Sequence, residues 1–315
     1  MQTTSRRRFT AALCLTPLLT PLLTACGGGD DGEPTVVGVA QRDPQFSVLV
    51  EAVTAAGLDT TLSGTGPFTV FAPTNDAFTA LLAELGMTKQ QLLADKATLT
   101  AVLQYHVIAG RVAKADVPLG KPVKPLQGGI FKVDTASGGG LVITDGRNRQ
   151  ARITATDVMA SNGIVHVVDR VLLPANKTIV ATAQAVPDFS ILVEAVVAAG
   201  LVDTLNGTGP FTVFAPTNAA FAKLLIELGV SKDQLLADKA LLTKVLTYHV
   251  LPSLVLKAQV RVGTPIATVQ GGTFSVDASL AITDARGRKA AITATDVLAS
   301  NGVIHTLDTV ILPAP

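Results

Sequence analysis

An internal repeat constrains this chain more than any other feature of its sequence. The eight residues 68–75, FTVFAPTN, recur without a change at residues 211–218, which is 143 positions later. Between residues 45 and 107, 47 of 63 positions are identical to the residues 143 positions further on. The second copy lacks four residues of the region around residues 137–140, so the offset is 139 from there to the end. A period this long predicts two complete domains, because the repeats of solenoid proteins are only about 20–50 residues long.

Composition agrees with two folded domains and excludes several classes of function. The chain has 315 residues, a length that fits two domains better than one or three. Hydrophobic residues make up 48% and charged residues 16%, so the chain can bury substantial cores. A formal net charge of +1 argues against a nucleic-acid partner, which needs a basic surface. Two Cys and four His are too few for a zinc array or a disulfide scaffold.

Residues 1–25 predict an export signal. A basic segment, SRRRF at residues 5–9, precedes an apolar stretch over residues 10–25. This order is typical of a cleaved targeting peptide rather than of a fold element. The basic segment resembles a twin-arginine signal, although the next two residues, Thr-Ala, depart from the usual continuation. An ordinary export signal is the alternative.

The end of that segment predicts a lipid anchor. The letters LTACG at residues 23–27 resemble the bacterial lipobox, in which the cysteine, here Cys26, is acylated and becomes the new N-terminus. Residues 26–35 are rich in Gly and Asp and predict a flexible tether. Acyl chains insert into one leaflet, and each buried methylene contributes about 0.8 kcal/mol. We therefore expect an exported protein that a lipid holds in the bacterial cell envelope, periplasmic or surface-exposed, with the membrane as one partner.

Each copy begins with a helical pattern and carries matched aromatic residues. Phe46, Leu49, Val50 and Val53 follow the spacing of one helical face, and Gly57 is placed to end that helix. All ten Phe that follow residue 26 fall at matched positions of the two copies, as do the two Tyr and the four His. We expect these large side chains in the core.

The rest of each copy predicts further helices and then strands. Residues 67–72 alternate like a strand, Thr74 is an expected helix cap, and Thr88 and Gln91 have the spacing of a capping box. Another helix is expected from about residue 95 to 105. After it, Gly-rich turns separate short Val- and Ile-rich runs that predict strands. Helices early and strands late indicate an α+β fold rather than alternating βαβ units.

Three motifs in a fixed order resemble those of the fasciclin-like domain. The motifs are TVFAPTNxAF, YHV and SNGxxHxxDxVLLP. In the first copy they lie at residues 69–78, 105–107 and 161–174. In the second copy they lie at residues 212–221, 248–250 and 300–313, and the last motif ends in VILP instead of VLLP. The resemblance implies two tandem α+β domains, at residues 36–175 and 176–315. It implies that each domain is a wedge or sandwich of two β-sheets with helices packed on one side. It further implies adhesion at the cell surface without catalysis.

The four histidines are the strongest candidates for chemistry, and their spacing favours a structural role. They stand 60 residues apart in the first copy and 56 in the second, without the HxH or HExxH patterns of metal sites. We expect each to be buried and hydrogen-bonded to the backbone. The resemblance adds an alternative, because the Tyr-His segment has been linked to receptor adhesion in animal members of the family. The candidates for an interaction or structural motif are Tyr105, His106, Asn162, His166, Tyr248, His249, Asn301 and His305.

A hydrolase is a further alternative. Asp157, Ser161 and His166 supply the three residue types of a catalytic triad, and the second copy repeats all three. The serine, however, precedes an Asn-Gly turn signal and lacks the GxSxG elbow. Hydrogen bonds from the Asp and the Ser to turn backbone are the simpler expectation.

Two turns rich in arginine are candidates for contact with an anionic ligand. They carry Arg147 and Arg149 in the first copy and Arg286 and Arg288 in the second. Guanidinium groups bind the carboxylates and phosphates of glycans and lipid head groups. An ordinary solvated turn is the alternative.

The sequence thus favours a membrane-anchored adhesion or interaction protein of the cell envelope that is not an enzyme and binds a protein or glycan through its domain surfaces. The runner-up is an envelope binding protein for a lipid or polysaccharide ligand. A hydrolase with a cryptic Asp/Ser/His site ranks third. No cofactor, metal or nucleic acid is expected. A deep apolar cavity would favour the ligand binder, and paired titratable groups in a pocket would favour the enzyme.

Overall fold

The computed structural model describes residues 33–315, which form one compact unit. The expected export signal, the lipobox cysteine Cys26 and most of the expected tether lie outside the described residues. Within the described range, no helix is both long enough and apolar enough to cross a bilayer.

The helices of the first copy begin and end at local signals in the sequence. They are α1 (Val36–Arg42), α2 (Ser47–Ala56), α3 (Asp59–Leu62), α4 (Asn75–Leu85), α5 (Lys89–Ala94) and α6 (Lys96–Tyr105), with short 3₁₀ turns at Pro44–Phe46 and Lys114–Asp116. Gly57 ends α2 in the left-handed conformation, as predicted. Thr74 caps α4 by accepting a hydrogen bond from the N–H of Ala77. The predicted capping box is confirmed at the start of α5, where Thr88 and Gln91 each bind the other's backbone N–H.

Within the described range, the strands of the first copy form one seven-stranded sheet. They are β1 (Phe68–Pro73), β2 (Val107–Ala109), β3 (Pro122–Val123), β4 (Phe131–Thr135), β5 (Leu141–Thr144), β6 (Gln150–Ala160) and β7 (Gly163–Val168). Their order across the sheet is β2-β1-β7-β6-β5-β4-β3. Neighbouring strands are antiparallel, except that β1 and β7 run parallel. The predicted α+β fold is confirmed.

The long strand β6 joins two arms of this sheet. Its residues 150–153 pair with β5, and its residues 153–160 pair with β7. The register shifts between Ile153 and Ala155 and again between Ala155 and Val158, which marks bulges that bend the strand. The two sheets expected from the resemblance are therefore the arms of one continuous sheet, because the bent strand belongs to both.

Strands β1 and β7 separate two apolar cores of the first copy. Val70 and Ala72 of β1 pack with the apolar faces of the helices. Phe71 lies between them in sequence and points to the opposite face, since side chains alternate along a strand. There it meets Phe131 edge to face, with ring centroids 5.4 Å apart, and Tyr105 meets the same ring at 5.7 Å. Both faces of β1 are consequently buried.

Two glycines permit the close approach of the parallel strands to their neighbouring turns. A Cβ atom at Gly66 would lie 2.2 Å from the carbonyl oxygen of Asn162, and Gly66 has a φ of +58°. A Cβ atom at Gly163 would lie 2.2 Å from the carbonyl oxygen of Phe68. Because the colliding atoms belong to the backbone and cannot yield, both positions require glycine.

The second copy repeats this architecture. Its helices are α7 (Ile179–Gln184), α8 (Ser190–Ala199), α9 (Val202–Leu205), α10 (Asn218–Leu228), α11 (Lys232–Ala237) and α12 (Lys239–Tyr248). Its strands are β8 (Phe211–Pro216), β9 (Val250–Leu251), β10 (Ile266–Ala267), β11 (Thr273–Val276), β12 (Ala281–Thr283), β13 (Lys289–Ala299) and β14 (Gly302–Leu307), in the order β10-β11-β12-β13-β14-β8-β9. The matched aromatic positions are buried in both copies, as predicted, except for Phe68 and Phe211, which are half-buried.

Candidate functional site

His106 follows helix α6 and lies in the interior, where both of its ring nitrogens bind backbone. Its Nδ1 is 2.7 Å from the carbonyl oxygen of Val102, which can only accept, so Nδ1 carries the proton and donates. Its Nε2 accepts a hydrogen bond from the N–H of Leu172 at 2.8 Å. His249 makes the matching pair of bonds in the second copy. The ring therefore ties the end of a helix to the segment that follows the last strand.

The interior position also determines the protonation state of these rings. Burial lowers the pKa of His106 and of His249 to about 4, because the cationic form loses its hydration. Burial likewise lowers the pKa of His305. His106 and His249 are neutral at neutral pH, and neither ring has a free lone pair for a metal or a substrate. Among residues 33–315, no group of three or more His, Cys, Asp or Glu side chains is placed to hold a metal ion.

Tyr105, the other half of the Tyr-His segment, is fully buried. Its hydroxyl donates a hydrogen bond to the carbonyl oxygen of Ile130. Burial raises the pKa of this phenol. Tyr248 donates in the same way to the carbonyl oxygen of Thr273, at 2.6 Å. The Tyr-His segment thus contacts the interior of its own copy and presents neither side chain to the surface.

The structure brings Asp157 and His166 together, but not in the geometry of a catalytic triad. The backbone N–H of Asp157, rather than its carboxylate, donates to Nδ1 of His166 at 3.2 Å. The other ring nitrogen donates to the carbonyl oxygen of Val112 at 2.9 Å. The Asp157 carboxylate accepts from the N–H of Lys114 at 2.8 Å, and Ser161 lies in the turn between β6 and β7. With both ring nitrogens bound to backbone, His166 is not placed to act as a general base.

Asn162 and Asn301 tie the first helix of each copy to the sheet. The Asn162 side chain accepts a hydrogen bond from the N–H of Val36 at 2.9 Å. It donates to the carbonyl oxygens of Leu62 and Gly64 at 2.8 and 2.7 Å. Asn301 repeats this set of bonds in the second copy. These amides have their hydrogen bonds satisfied inside their own copy.

A buried aspartate, which the sequence analysis did not single out, holds each arginine turn. The Asp145 carboxylate is 1% exposed and accepts hydrogen bonds from the N–H groups of Arg147, Arg149 and Leu173. It also binds the Arg149 guanidinium at 3.0 Å. The signal for it was the matched Asp284, an acidic residue that the second turn keeps together with both arginines while the two remaining positions change.

Three of the four candidate arginines are bound within their own copy. Arg149 and Arg288 form ion pairs with glutamates of α4 and α10, at N–O distances of 2.8 and 2.7 Å. The Arg286 guanidinium donates to a backbone carbonyl, that of Pro313, at 3.0 Å. Arg147 is exposed. Contact with an external anion is therefore better supported for Arg147 than for the other three.

The two copies meet across a defined contact, which we call the domain junction. Lys132 on β4 forms an ion pair with Asp296 on β13, at 2.9 Å, with both side chains largely buried. The Asn148 side chain binds the backbone of Leu298 twice, accepting from its N–H at 2.6 Å and donating to its carbonyl at 3.0 Å. Ile130 packs on an apolar cluster of the second copy. The junction comprises Ile130, Lys132 and Asn148 of the first copy and Leu256, Asp296 and Leu298 of the second.

Electrostatics keep Lys132 charged at the junction. Burial by itself lowers the pKa of Lys132, but the hydrogen bonds and charges of Asp296 and Asp134 outweigh it, and the pKa is raised. The other carboxylate oxygen of Asp296 accepts from the N–H of Lys257 at 2.7 Å. Both oxygens of this buried carboxylate are thus paired.

The cavities of the described chain are small inside the helical cores and larger between the copies. A cavity of about 30 Å³ lies beside His106 and another beside His249, each with room for about one water. Clefts of about 500 and 440 Å³ are lined by residues of both copies. Arg147, Asn176 and Lys177 line the smaller cleft. The clefts, unlike the core cavities, fall in the size range of ligand sites, roughly 300–1,000 Å³.

Comparison with known protein families accounts for the repeat. A family model described as the fasciclin domain matches the chain twice, over residues 44–174 and 187–313. The chain belongs to the fasciclin domain family. The resemblance seen in the three sequence motifs is thereby confirmed.

Relatives of this fasciclin chain come from animals and bacteria. Transforming growth factor-beta-induced protein ig-h3 of Sus scrofa is 29% identical over 293 residues, which cover 90% of this chain and 41% of that protein. Protein sll1483 of Synechocystis sp. is 46% identical over 149 residues, 46% of this chain and 76% of that protein. Cell surface glycolipoprotein MPB83 of Mycobacterium bovis is 40% identical over 113 residues, 36% of this chain and 48% of that protein. The chain therefore spans less than half the length of the ig-h3 protein.

A solved structure of a FAS1 domain pair, from the insect cell adhesion molecule Fasciclin I, is also similar to this chain. It is 21% identical, with a TM-score of 0.42. The match covers 87% of this chain and 97% of that one.

Key polar side chains of the fasciclin motifs stabilise the domain that carries them. Asn75 of the first motif accepts from the N–H of Val48 and donates to the carbonyl oxygen of Pro44. His106 of the second motif accepts from the N–H of Leu172, which belongs to the third. Asn75 and His106 are thus engaged inside the domain that carries them.

The junction residues of the first fasciclin domain were missed by sequence reasoning. Lys132 and Asn148 stand where the second domain has Ser275 and Gly287. Attention to identical positions in the two copies passes over such residues. The signal that could have found them is a difference between the copies, namely a charged or amide residue in one copy where the other has a small residue.

Proposed function

We propose that this chain is a lipid-anchored protein of the bacterial cell envelope that binds another macromolecule through the surfaces of its two fasciclin domains, without catalysis. The observation that carries the proposal is that all four histidines bind backbone through both ring nitrogens, so no histidine of the family motifs is placed to act as a general base or a metal ligand. Membership in the fasciclin family supports a surface role. A bacterial relative named a cell surface glycolipoprotein supports the anchor.

Cys26 carries the anchor in this proposal, and its substitution tests it. We expect Cys26→Ser to move the protein from the membrane fraction to the soluble fraction, because no acyl chain remains to insert into the bilayer. Cys14→Ser is the matched control, since it removes the other cysteine of the chain and leaves the lipobox intact. An unchanged membrane fraction for Cys26→Ser would contradict the anchor.

Capture from envelope extract tests the binding function. The native chain, immobilised, is expected to retain one or a few envelope proteins or glycans that the same chain does not retain after heat denaturation. The denatured chain is the control because it exposes apolar segments that bind without specificity. Identical capture by the folded and denatured chains would argue against binding through domain surfaces.

A second candidate function is the binding of an anionic polysaccharide in the 440 Å³ cleft. Arg147 and Lys177 supply two positive charges to this cleft, and Asn176 supplies an amide. Calorimetric titration with a uronic-acid oligosaccharide tests it, and Arg147→Ala together with Lys177→Ala is expected to weaken binding at least about tenfold. Arg286→Ala, at the matched position of the second domain, is the control. The core cavities of about 30 Å³ do not favour a lipid ligand.

A further inference from the structure

The domain junction is directional, because two copies of one fold contribute different faces to it. The first domain supplies what we call the donor face, Ile130, Lys132 and Asn148. The second domain supplies what we call the acceptor edge, residues 296–298 of its bent strand β13. Each domain also has the positions that match the face it does not use at the junction, so the residues at those positions can be compared with the ones in use.

The donor face is lost in the second domain. Thr273, Ser275 and Gly287 stand at the positions of Ile130, Lys132 and Asn148. These residues offer neither an ammonium group for a carboxylate nor a side-chain amide for a strand backbone. The second domain therefore cannot dock onto another acceptor edge as the first domain docks onto it.

The acceptor edge is retained in the first domain, at residues 157–159 of β6. Asp157 has a φ of +60° and Asp296 a φ of +61°, and each accepts a hydrogen bond from the backbone N–H of the matched lysine, at 2.8 and 2.7 Å. The bulge therefore holds both carboxylates in the same way. In the part of the chain that the structure describes, no lysine or arginine side chain forms an ion pair with Asp157.

This edge of the first domain is exposed where its counterpart is covered. Met159 is 54% exposed, whereas Leu298, at the matched position, is 2% exposed. Val158 is also exposed. Since β5 pairs only with residues 150–153 of β6, no described strand pairs with residues 157–159 on the side away from β7. An open strand edge with apolar side chains is a template for association with another chain.

We propose that the acceptor edge of the first domain docks a fasciclin domain of another chain, one that presents a lysine and a carboxamide in the arrangement of Lys132 and Asn148. A second copy of this chain does not fit, because its own Lys132 and Asn148 are engaged at its junction and its second domain lacks both groups. The inference rests on the proposed function, since it names the surface and the kind of partner for that function.

The residues around the acceptor edge of the first domain differ from those around the acceptor edge of the second domain, which indicates how the partner should differ from the donor face at the junction. Ala113 stands at the position of Leu256, which leaves room for a larger apolar side chain from the partner. Arg111 stands at the position of Leu254, and its guanidinium donates to the carbonyl oxygen of Ala160 at 2.9 Å. The surroundings of the acceptor edge in the first domain are thus more polar than the domain junction.

A gain-of-function variant of the full chain tests the proposal. Thr273→Ile, Ser275→Lys and Gly287→Asn together restore the donor face on the second domain, and every version carries Cys26→Ser so that no lipid contributes. Gly287 has a φ of +75°, close to the +62° of Asn148, and a Cβ atom there meets nothing within 4 Å, so asparagine fits. The variant is expected to associate head to tail, with a sedimentation coefficient that rises with protein concentration, while the parent does not respond in this way.

A further substitution links the association to the acceptor edge. Adding Asp157→Asn to the gain-of-function variant is expected to weaken association at least about tenfold, because the introduced lysine loses its charged partner. Asp188→Asn, at an exposed position away from the edge, is the matched control and should leave association unchanged. Circular dichroism melting establishes that each variant is folded.

Two outcomes overturn the proposal. One is a folded gain-of-function variant that sediments like its parent at every concentration, and the other is association that persists after Asp157→Asn. If either occurs while the native chain still captures an envelope partner, the acceptor edge is wrong and the proposed function stands. Absence of any specific capture by the native chain would instead count against the proposed function itself.

Discussion

At the scale of single residues, His106 supplies two hydrogen bonds that the backbone cannot make by itself. Val102 lies in the last turn of α6, where carbonyl groups have no partner within the helix. Leu172 lies beyond the last strand, so its N–H has no strand neighbour. The imidazole reaches both groups, donating at 2.7 Å and accepting at 2.8 Å. A neutral imidazole fits this site because one ring nitrogen can donate to the carbonyl of Val102 while the other accepts from the N–H of Leu172.

Replacement of this ring should lower stability. We expect His106→Ala, and separately His249→Ala, to reduce the free energy of unfolding by about 1–3 kcal/mol, because two buried backbone groups lose their partner and a cavity remains. Lys96→Ala on the exposed side of the same helix is the control and should change little. Urea denaturation gives the free energies. Unchanged stability combined with the loss of a bound metal would show that the histidine is a ligand instead.

The same rings should make stability depend on pH. The pKa of each ring is lowered from its ordinary value of 6.5 to about 4 in the folded chain. As the pH falls, the unfolded chain therefore binds the proton before the folded chain does. The stabilisation is fully present above pH 6.5 and is lost as the pH falls from 6.5 towards 4. The slope is about 1.4 kcal/mol per pH unit for each ring.

Urea denaturation at a series of pH values between neutral and acidic measures this slope. The double variant His106→Gln, His249→Gln is the control, because it lacks both titrating rings while other groups titrate as before. The native chain should lose more stability over this interval than the double variant. Equal slopes would mean that these imidazoles do not stay neutral when the chain folds.

At the scale of elements, Asp145 fastens a turn, a helix and the closing segment to one another. Its carboxylate accepts from the turn between β5 and β6 and from the N–H of Leu173. Through Arg149 it is also connected to helix α4, because the same guanidinium binds Glu84. One buried charge thus links elements that are far apart in sequence, and the matched Asp284 makes the same backbone bonds in the second domain.

Neutralisation of Asp145 should be costly. We expect Asp145→Asn to lower the free energy of unfolding by about 3–5 kcal/mol, because the Arg149 guanidinium then lacks its buried partner. Asp169→Asn is the control, since that carboxylate also accepts a backbone N–H, at 2.7 Å, but is exposed. Its loss should stay near 1 kcal/mol. Comparable losses in the two variants would show that burial of the charge adds nothing.

At the scale of the whole molecule, the domain junction holds the two fasciclin domains in one unit. Each domain has apolar cores built from its own residues. The contact between them depends on a smaller set, namely one buried ion pair, one amide bound to a strand backbone and an apolar cluster. The junction should therefore be easier to open than either domain is to unfold.

Removal of the junction lysine tests this difference. Lys132→Ala leaves the Asp296 carboxylate without its cation, and a buried unpaired charge typically costs about 2–5 kcal/mol. We expect the domains to separate, which raises the radius of gyration in X-ray scattering and resolves urea unfolding into two transitions. Ser275→Ala, at the matched position of the second domain, is the control. Scattering curves that superimpose for Lys132→Ala and the native chain would contradict this account.

The sequence by itself determined the features that depend on neighbouring residues or on the repeat. The capping box of Thr88 and Gln91, the helix end at Gly57 and the α+β order all follow from local backbone chemistry and side-chain periodicity. The repeat added the buried aromatic and histidine positions, because large side chains matched in both copies are most simply explained by a shared core.

Only the tertiary structure decided which distant groups meet. The carboxylate of Asp145 lies under the closing segment 28 residues later, and Lys132 pairs with Asp296 across 164 residues. The bulge at Asp157 turns a backbone N–H, rather than a carboxylate, towards His166. Local propensity carries no information on such contacts, because burial and pairing arise when separate elements pack. A charged residue in a turn therefore looks the same in the sequence whether it ends in solvent, in a core or at a junction between domains.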